Sequence, residues 1–487
     1  MGRDRVDAPD LSSGSSPSLT RRRFLLATAA APLTAAFLAA CGSTSSPADT
    51  APIASGPATS APAGTGTGAG AADSGENFSG IDIVVVTRAG RFDDTATFRT
   101  ARQNWERRTG GRVTFTIVSE YADFDGRYAG YIKAKDSSAD VLYLYDAANQ
   151  RYGTELFEDL TGRVGDTSDF VPADLRTFAT PDGKLRGLPV QAEMVVYLFN
   201  RRRYADAGLD PANPPDTWQA LYRHARQLRQ GKAFGHVAGW LAPGHALIWF
   251  LTFYNSTGQK LLSDDRTRLL FDNDEFELSL QTMLDGLTSG FVDPGGLYLA
   301  TSFEHSQVFF DDAAASTTAF CEEIINGLGG TPGTTSTGAR SPIADQVAFA
   351  LMPGVKSGGS GTVNGFEAFG VSAFSKHPDA AISFAREMAG FESQKSIALG
   401  TDAPALPPSR LSVLRDPDVT AAYPLADVVR RQGATTVDRY GAPYAKDMSA
   451  AFDDVLPRMF KKQVTVKDAR KELVARTQKA IATWNGS

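Results

Sequence analysis

Apolar and polar positions follow two spacings along this chain, and the first strand signal is the β-branched run IDIVVV at Ile81 to Val86. Beyond it Phe98, Ala101 and Trp105 fall on one helical face, and Gly110 supplies the stop. The apolar run VTFTIV follows at Val113 to Val118, then a helical spacing through Tyr128 and Tyr131, then DVLYLY at Asp140 to Tyr145. Strand, helix, strand, helix, strand in this order predicts an α/β sheet with right-handed crossovers. Ligands of such sheets sit beyond the carboxyl ends of the strands, here near Arg88 and Tyr145-Asp146.

A long strand pattern, LPVQAEMVVYLFN, runs from Leu188 to Asn200. After the Pro214-Pro215 turn, Trp218, Leu221, Ala225 and Leu228 align on a helix for which Asp216 and Gln219 can form a capping box. Asp272 to Thr288 reads as another helix, capped among Asp272, Asn273 and Asp274. This acidic cluster is no calcium loop, because Phe276 stands where a third oxygen ligand is needed. Gly327 to Gly338 and Lys356 to Gly361 read as exposed loops without the Gly-Lys-Ser/Thr of a phosphate-cradling loop. Strand patterns at Val347 to Pro353 and around Phe369 to Phe374 precede a helix from Pro378 to Met388. The remainder reads mainly as helices, with Val464, Ala469, Leu473 and Ala480 as apolar positions, and no internal repeat is visible.

Ahead of the first strand lies TRRRFLLATAAAPLTAAFLAACGS, from Thr20 to Ser43. Its apolar run of about fifteen residues is shorter than a bilayer-spanning helix and fits the core of a signal peptide over residues 1–40. Thr20-Arg21-Arg22-Arg23-Phe24-Leu25-Leu26 resembles a twin-arginine export motif, and Leu38-Ala39-Ala40-Cys41 resembles a lipobox, which implies a lipidated Cys41. From Gly42 to about Asn77 the chain is mostly Ser, Thr, Pro, Ala and Gly with a lone Ile53, a tether (domain 41–79) with a root-mean-square reach of roughly 30 to 35 Å.

Most of the 487 residues lie past this leader, enough for two lobes and hence a cleft. A net charge of -6, with much of the basic clustering in the leader, gives no footprint for nucleic acid. With Cys41 lipidated, Cys321 has no intrachain partner, so the fold does not depend on a disulfide. The five histidines, His224, His236, His245, His305 and His377, form no zinc motif, and no Gly-x-Ser-x-Gly elbow occurs. No metal or cofactor is expected. Two carboxylates flanking a glycosidic bond stay open, since sequence does not set their separation.

Several segments, in order, carry a family likeness: Asn104 to Gly110 at a helix end, Ala139-Asp140-Val141, Leu188-Pro189 through Tyr197-Leu198-Phe199-Asn200, and Pro215-Asp216-Thr217-Trp218. Phe309 to Ala314, Ser375 to Ala381 and Ala442-Pro443-Tyr444 continue it. Together they resemble an extracellular solute-binding lipoprotein of a bacterial ABC importer, in the sugar-binding group related to maltose-binding protein. The chain departs from that family at Phe199-Asn200-Arg201, commonly Tyr-Asn-Lys, and at Asp311 or Asp312, where a Gly is common.

The resemblance implies the two-lobe periplasmic-binding-protein fold, each α/β lobe a sheet flanked by helices, the two joined by hinge strands. Lobe one is expected at residues 81–192 and 350–401, lobe two at 193–349 and 402–487. It implies that Arg88, Tyr145, Asp146, Glu193, Phe366 and Glu367 face the cleft from lobe one and the hinge, with Trp240, His245, Trp249, Phe320, Glu322, Arg439 and Tyr444 opposite. Aromatic rings would stack on sugar C–H faces, and Arg and carboxylates would bind hydroxyls. The expected function is capture of a sugar or oligosaccharide and delivery to the importer's membrane subunits, by a monomer held at the outer face of the cell membrane. The same fold serving glycerol phosphate or a peptide, and an exported carbohydrate-active enzyme, are the alternatives.

Overall fold

The computed structural model describes residues 75–89, 96–119, 123–229, 231, 233–293, 302–328, 340–400, 406–438 and 441–485. The expected signal peptide, Cys41, most of the expected linker and Arg439 lie outside the described residues, as does the side chain of Phe366.

Three parallel strands open the fold: β1 (Asp82–Arg88), β2 (Arg112–Val118) and β3 (Val141–Tyr145). Between β1 and β2 runs the helix Ala96–Thr109, whose Phe98, Ala101 and Trp105 are all buried as the apolar spacing requires. Trp105 donates its indole N–H to Ser383 Oγ at 2.9 Å and meets Phe384 edge-on, fixing this helix to the helix Pro378–Met388. Gly110 ends the helix with φ 76°, and a Cβ on Gly111 would lie 2.6 Å from the Trp105 ring, so the chain can turn there only with two glycines.

The remaining strands are β4 (Leu188–Asn200), β5 (His236–Val237), β6 (Val292–Asp293), β7 (Ser316–Phe320), β8 (Val347–Ala350), β9 (Thr362–Val371) and β10 (Thr436–Asp438). Among the described residues they order as β2-β1-β3-β9-β4-β7-β5-β6, with β8 on β4 and β10 on β9. β9 lies antiparallel to both β3 and β4, and it starts seven residues before the Phe369 around which the sequence suggests a strand.

β4 is the crossing element. Leu188 to Met194 pair with β9, whereas Val195 to Phe199 pair with β7 and Tyr197 to Asn200 with β8. Its side chains alternate between two hydrophobic cores: Val196 and Leu198 join a core with Trp105, Tyr143 and Phe369, while Val195, Tyr197 and Phe199 join one with Trp218, Trp249 and Phe452. A strand covered on both faces reads as a continuous apolar run, which explains its sequence.

One expectation shifts. The helix Trp218–Leu228 is capped by Thr217, whose side chain accepts from Ala220 N at 3.2 Å, while Asp216 instead takes the Ser357 hydroxyl at 2.7 Å. The segment after residue 405 begins by pairing with backbone of earlier residues: Ala192 N donates to Pro407 O, Val171 N to Ser409 O and Leu411 N to Asp169 O. Val413, Leu414 and Val419 bury their side chains in the first core, and only the helices Ala445–Phe460 and Val466–Asn485 close the second. No helix among the described residues is long and apolar enough to cross a membrane.

Candidate functional site

The register of β9 sets Glu367 opposite Tyr145 on β3 and Gln191 on β4, with Arg88 at the end of β1. Arg88 Nη1 lies 3.2 Å from Glu367 Oε1, which also accepts the Tyr143 hydroxyl at 2.5 Å, and Gln191 Nε2 donates to Glu367 Oε2. Beside them the Tyr145 hydroxyl donates to Asp125 Oδ1 at 2.8 Å, and burial, reinforced by that carboxylate, pushes the phenol well above its ordinary pKa. Tyr128 stacks on Tyr145, and its buried phenol is raised for the same first reason.

Asp146 is placed differently from the expectation. It is fully buried as the first residue of the helix Asp146–Leu156, where its Oδ1 accepts from Ala147 N at 2.8 Å. A carboxylate at a helix N-terminus interacts favourably with the N–H groups there.

Glu193 stands two residues beyond Gln191 on the same face of β4, about 7 Å along the strand. Its Oε1 accepts from Glu322 N at 3.1 Å, in the first turn of the helix Cys321–Leu328. Next to it Phe320 sits 5.6 Å from the Trp249 ring and 6.3 Å from that of His245. His245 opens the helix Ala246–Tyr254 in a turn held by Asp453, whose carboxylate accepts from Gly244 N at 3.0 Å and Ala246 N at 3.2 Å. Burial raises the pKa of Asp453, and burial likewise pushes up the Cys321 thiol behind Glu193. β4 therefore carries one polar cluster on each side of the crossing.

Within these clusters the half-buried expected residues are Arg88, Glu193, His245, Glu322 and Glu367. Of the expected aromatics whose side chains are described, Tyr145, Trp240, Trp249, Phe320 and Tyr444 are buried. Trp240 is fully enclosed in the second core, edge-on to Trp218 at 5.4 Å and Phe253 at 5.1 Å. Trp249 is also enclosed and shows the site only through Phe320. Tyr444 donates to Arg266 O at 2.6 Å, far along the second core, and burial pushes its phenol up to about 12. Tyr143 and Gln191, not singled out from the sequence, join the cluster at Glu367. Each lies two residues from a residue singled out, Tyr145 or Glu193, so the strand period alone could have found both.

Among the described residues no group of three His, Cys, Asp or Glu could hold a metal. A separate surface recess is lined by Asp272, Glu277, Lys467 and Arg470, but its Arg470 pairs with Asp272 at 2.9 Å and Glu277 at 3.2 Å, an ordinary surface network.

A family model described as bacterial extracellular solute-binding protein matches residues 100–426. Among solved structures, the sugar-binding protein MalE of Xanthomonas citri superposes with TM-score 0.69 at 14% identity, covering 83% of this chain and 98% of that one. The cyclic alpha-maltosyl-1,6-maltose binding protein of Arthrobacter globiformis superposes with TM-score 0.68 at 19% identity, covering 82% and 99%. The sn-glycerol-3-phosphate-binding periplasmic protein UgpB of Salmonella paratyphi A is 35% identical over 88 residues, 18% of this chain. That match spans only 20% of the relative's length.

Proposed function

We propose, from the premise that the chain belongs to the bacterial extracellular solute-binding protein family, that it captures a neutral sugar or oligosaccharide between its two lobes and delivers it to an ABC importer. The observation that carries this reading is the crossing strand β4, which bears Gln191 and Glu193 on one face and so ties a polar cluster in one half-sheet to a second cluster in the other. Carboxylates and a guanidinium in fixed orientation suit the hydroxyls of a sugar, whose C–H faces can meet the few aromatic edges at hand. A solute touching both clusters favours the closed arrangement of the lobes, a population shift set by its differential affinity for that state. The protein contributes binding and orientation, with no reaction of its own.

The partial relatedness to the glycerol-phosphate binder favours a second reading, an anionic solute. Charge argues for the first. The half-buried charged groups described at the site are Arg88 against Glu193, Glu322 and Glu367, and Arg88 is engaged by Glu367. A phosphate would meet net repulsion.

Thermal unfolding against maltose, mannitol, tagatose and sn-glycerol 3-phosphate tests the reading. A bound ligand at about 100 times its dissociation constant adds about 2.7 kcal/mol to stability. Stabilisation by a neutral sugar without its breakdown supports the proposal; stabilisation by the phosphate alone, or hydrolysis of the sugar, counts against it.

The anchoring belongs to the same proposal: lipid on Cys41 holds a monomer to the outer face of the membrane after twin-arginine export. Cys41→Ser is expected to release the protein into the medium, and retention at the membrane would contradict it. Arg21→Lys with Arg22→Lys is expected to block export, and unchanged export would point to the general route.

A further inference from the structure

Glu367 is occupied from inside the protein. Tyr143, Gln191 and Arg88 converge on its carboxylate, so four strands, β3, β4, β1 and β9, each supply one member of a single network. Exposure rises in steps through that network. Tyr143 and Gln191 are buried, the Glu367 side chain is 12% exposed, and the Arg88 side chain is 29% exposed. A solute arriving from outside meets Arg88 first, with Glu367 behind it.

From this geometry we infer that Glu367 is a positioning residue: with Tyr143 and Gln191 it orients the Arg88 guanidinium, and Arg88 is the member that contacts the solute. What Arg88 does rests on the solute-binding reading above, whereas its orientation is a property of the fold. The chemistry gives the arrangement its sense. Arg has a planar fork of donors on a long stem, and a stem already fixed gives up less rotamer freedom on binding. Both Glu367 oxygens already accept hydrogen bonds, and Tyr143 and Gln191 keep the carboxylate from swinging towards the solute itself.

The test is a double-mutant cycle on the full chain, with maltose as the calorimetric probe, in which Arg88→Ala and Glu367→Gln are made singly and together. Each single change is expected to weaken binding about tenfold, and the pair to be no weaker than Arg88→Ala alone. Losses that multiply would overturn the inference, because they would mean that Glu367 meets the solute directly. Tyr143→Phe keeps the ring, guards against a misfolded Glu367 variant, and should weaken binding only while Arg88 is present. An equal effect in the Arg88→Ala background would also overturn it. A readout free of any ligand accompanies the cycle. The guanidinium NMR signals of Arg88, assigned by their loss in Arg88→Lys, should report hindered rotation in the parent chain and free rotation in Glu367→Gln, at an unchanged unfolding temperature. Arg88 signals indifferent to Glu367→Gln would refute positioning. If maltose fails to bind the parent chain, that result counts against the sugar reading, and the NMR comparison alone decides the role of Glu367.

Discussion

Asp174 shows how far this fold bends single-residue chemistry. Its carboxyl is fully enclosed, and Asn364 Nδ2 donates to Oδ1 at 3.3 Å. Burial holds its pKa well above the ordinary carboxyl value, so the folded protein keeps it protonated where the unfolded chain ionises. Its contribution to stability is therefore whole below the unfolded carboxyl pKa and is lost as pH rises through the raised folded value. Asp174→Asn, which cannot ionise, should raise the unfolding temperature at neutral pH, with the gain vanishing below about pH 4. Melting curves across pH check this, and a variant less stable than the parent at pH 7 would contradict it. At the site, Glu193→Gln keeps an acceptor for Glu322 N but removes the charge, and should weaken sugar binding by about tenfold, read by calorimetry, while leaving unliganded stability nearly unchanged.

Helix ends carry the clearest local logic. Asn200 closes β4 and caps the helix Arg201–Asp206, accepting from Arg202 N at 3.0 Å and Arg203 N at 3.2 Å. At the end of the helix Ser302–Phe310, Asp312 takes φ 62°, the left-handed conformation that glycine adopts most readily. Here the Asp is tolerated because Arg203 Nη2 pairs with its Oδ1 at 3.0 Å. Asp312→Ala should cost about 1 to 2 kcal/mol, backbone strain plus a partly exposed ion pair, while Asp312→Gly should recover the strain. Urea unfolding of both variants checks the order. The elements themselves were largely legible: the β-branched runs became β1 and β2, and the aligned Phe98, Ala101 and Trp105 became a buried helix face. What escaped was pairing. Nothing local to Thr362–Val371 says that it inserts between β3 and β4, because strand neighbours are chosen by distant partners.

Across the whole molecule the crossings are stitched by buried amides. Gln394, fully enclosed, donates to Pro189 O at 3.0 Å and Ala389 O at 3.1 Å and accepts from Ser409 N at 2.8 Å and Arg410 N at 2.9 Å, tying the start of β4 to the returning chain. Gln394→Leu would strand these backbone groups and should cost about 2 to 4 kcal/mol in chemical unfolding. The surroundings of the candidate residues were half legible for a related reason. Strand ends and family likeness single out Arg88, Glu193 and Glu367, yet the rings that enclose Trp240, those of Trp218 and Phe253, come from helices elsewhere in the chain. The central claim, a neutral sugar held across β4, is tested most directly by calorimetric titration of the protein with maltose-type oligosaccharides and with sn-glycerol 3-phosphate, beside Glu193→Gln and Arg88→Ala. The account predicts saturable one-to-one binding of an intact sugar, weakened by both substitutions. Binding of the phosphate alone, or sugar binding indifferent to both changes, would contradict it.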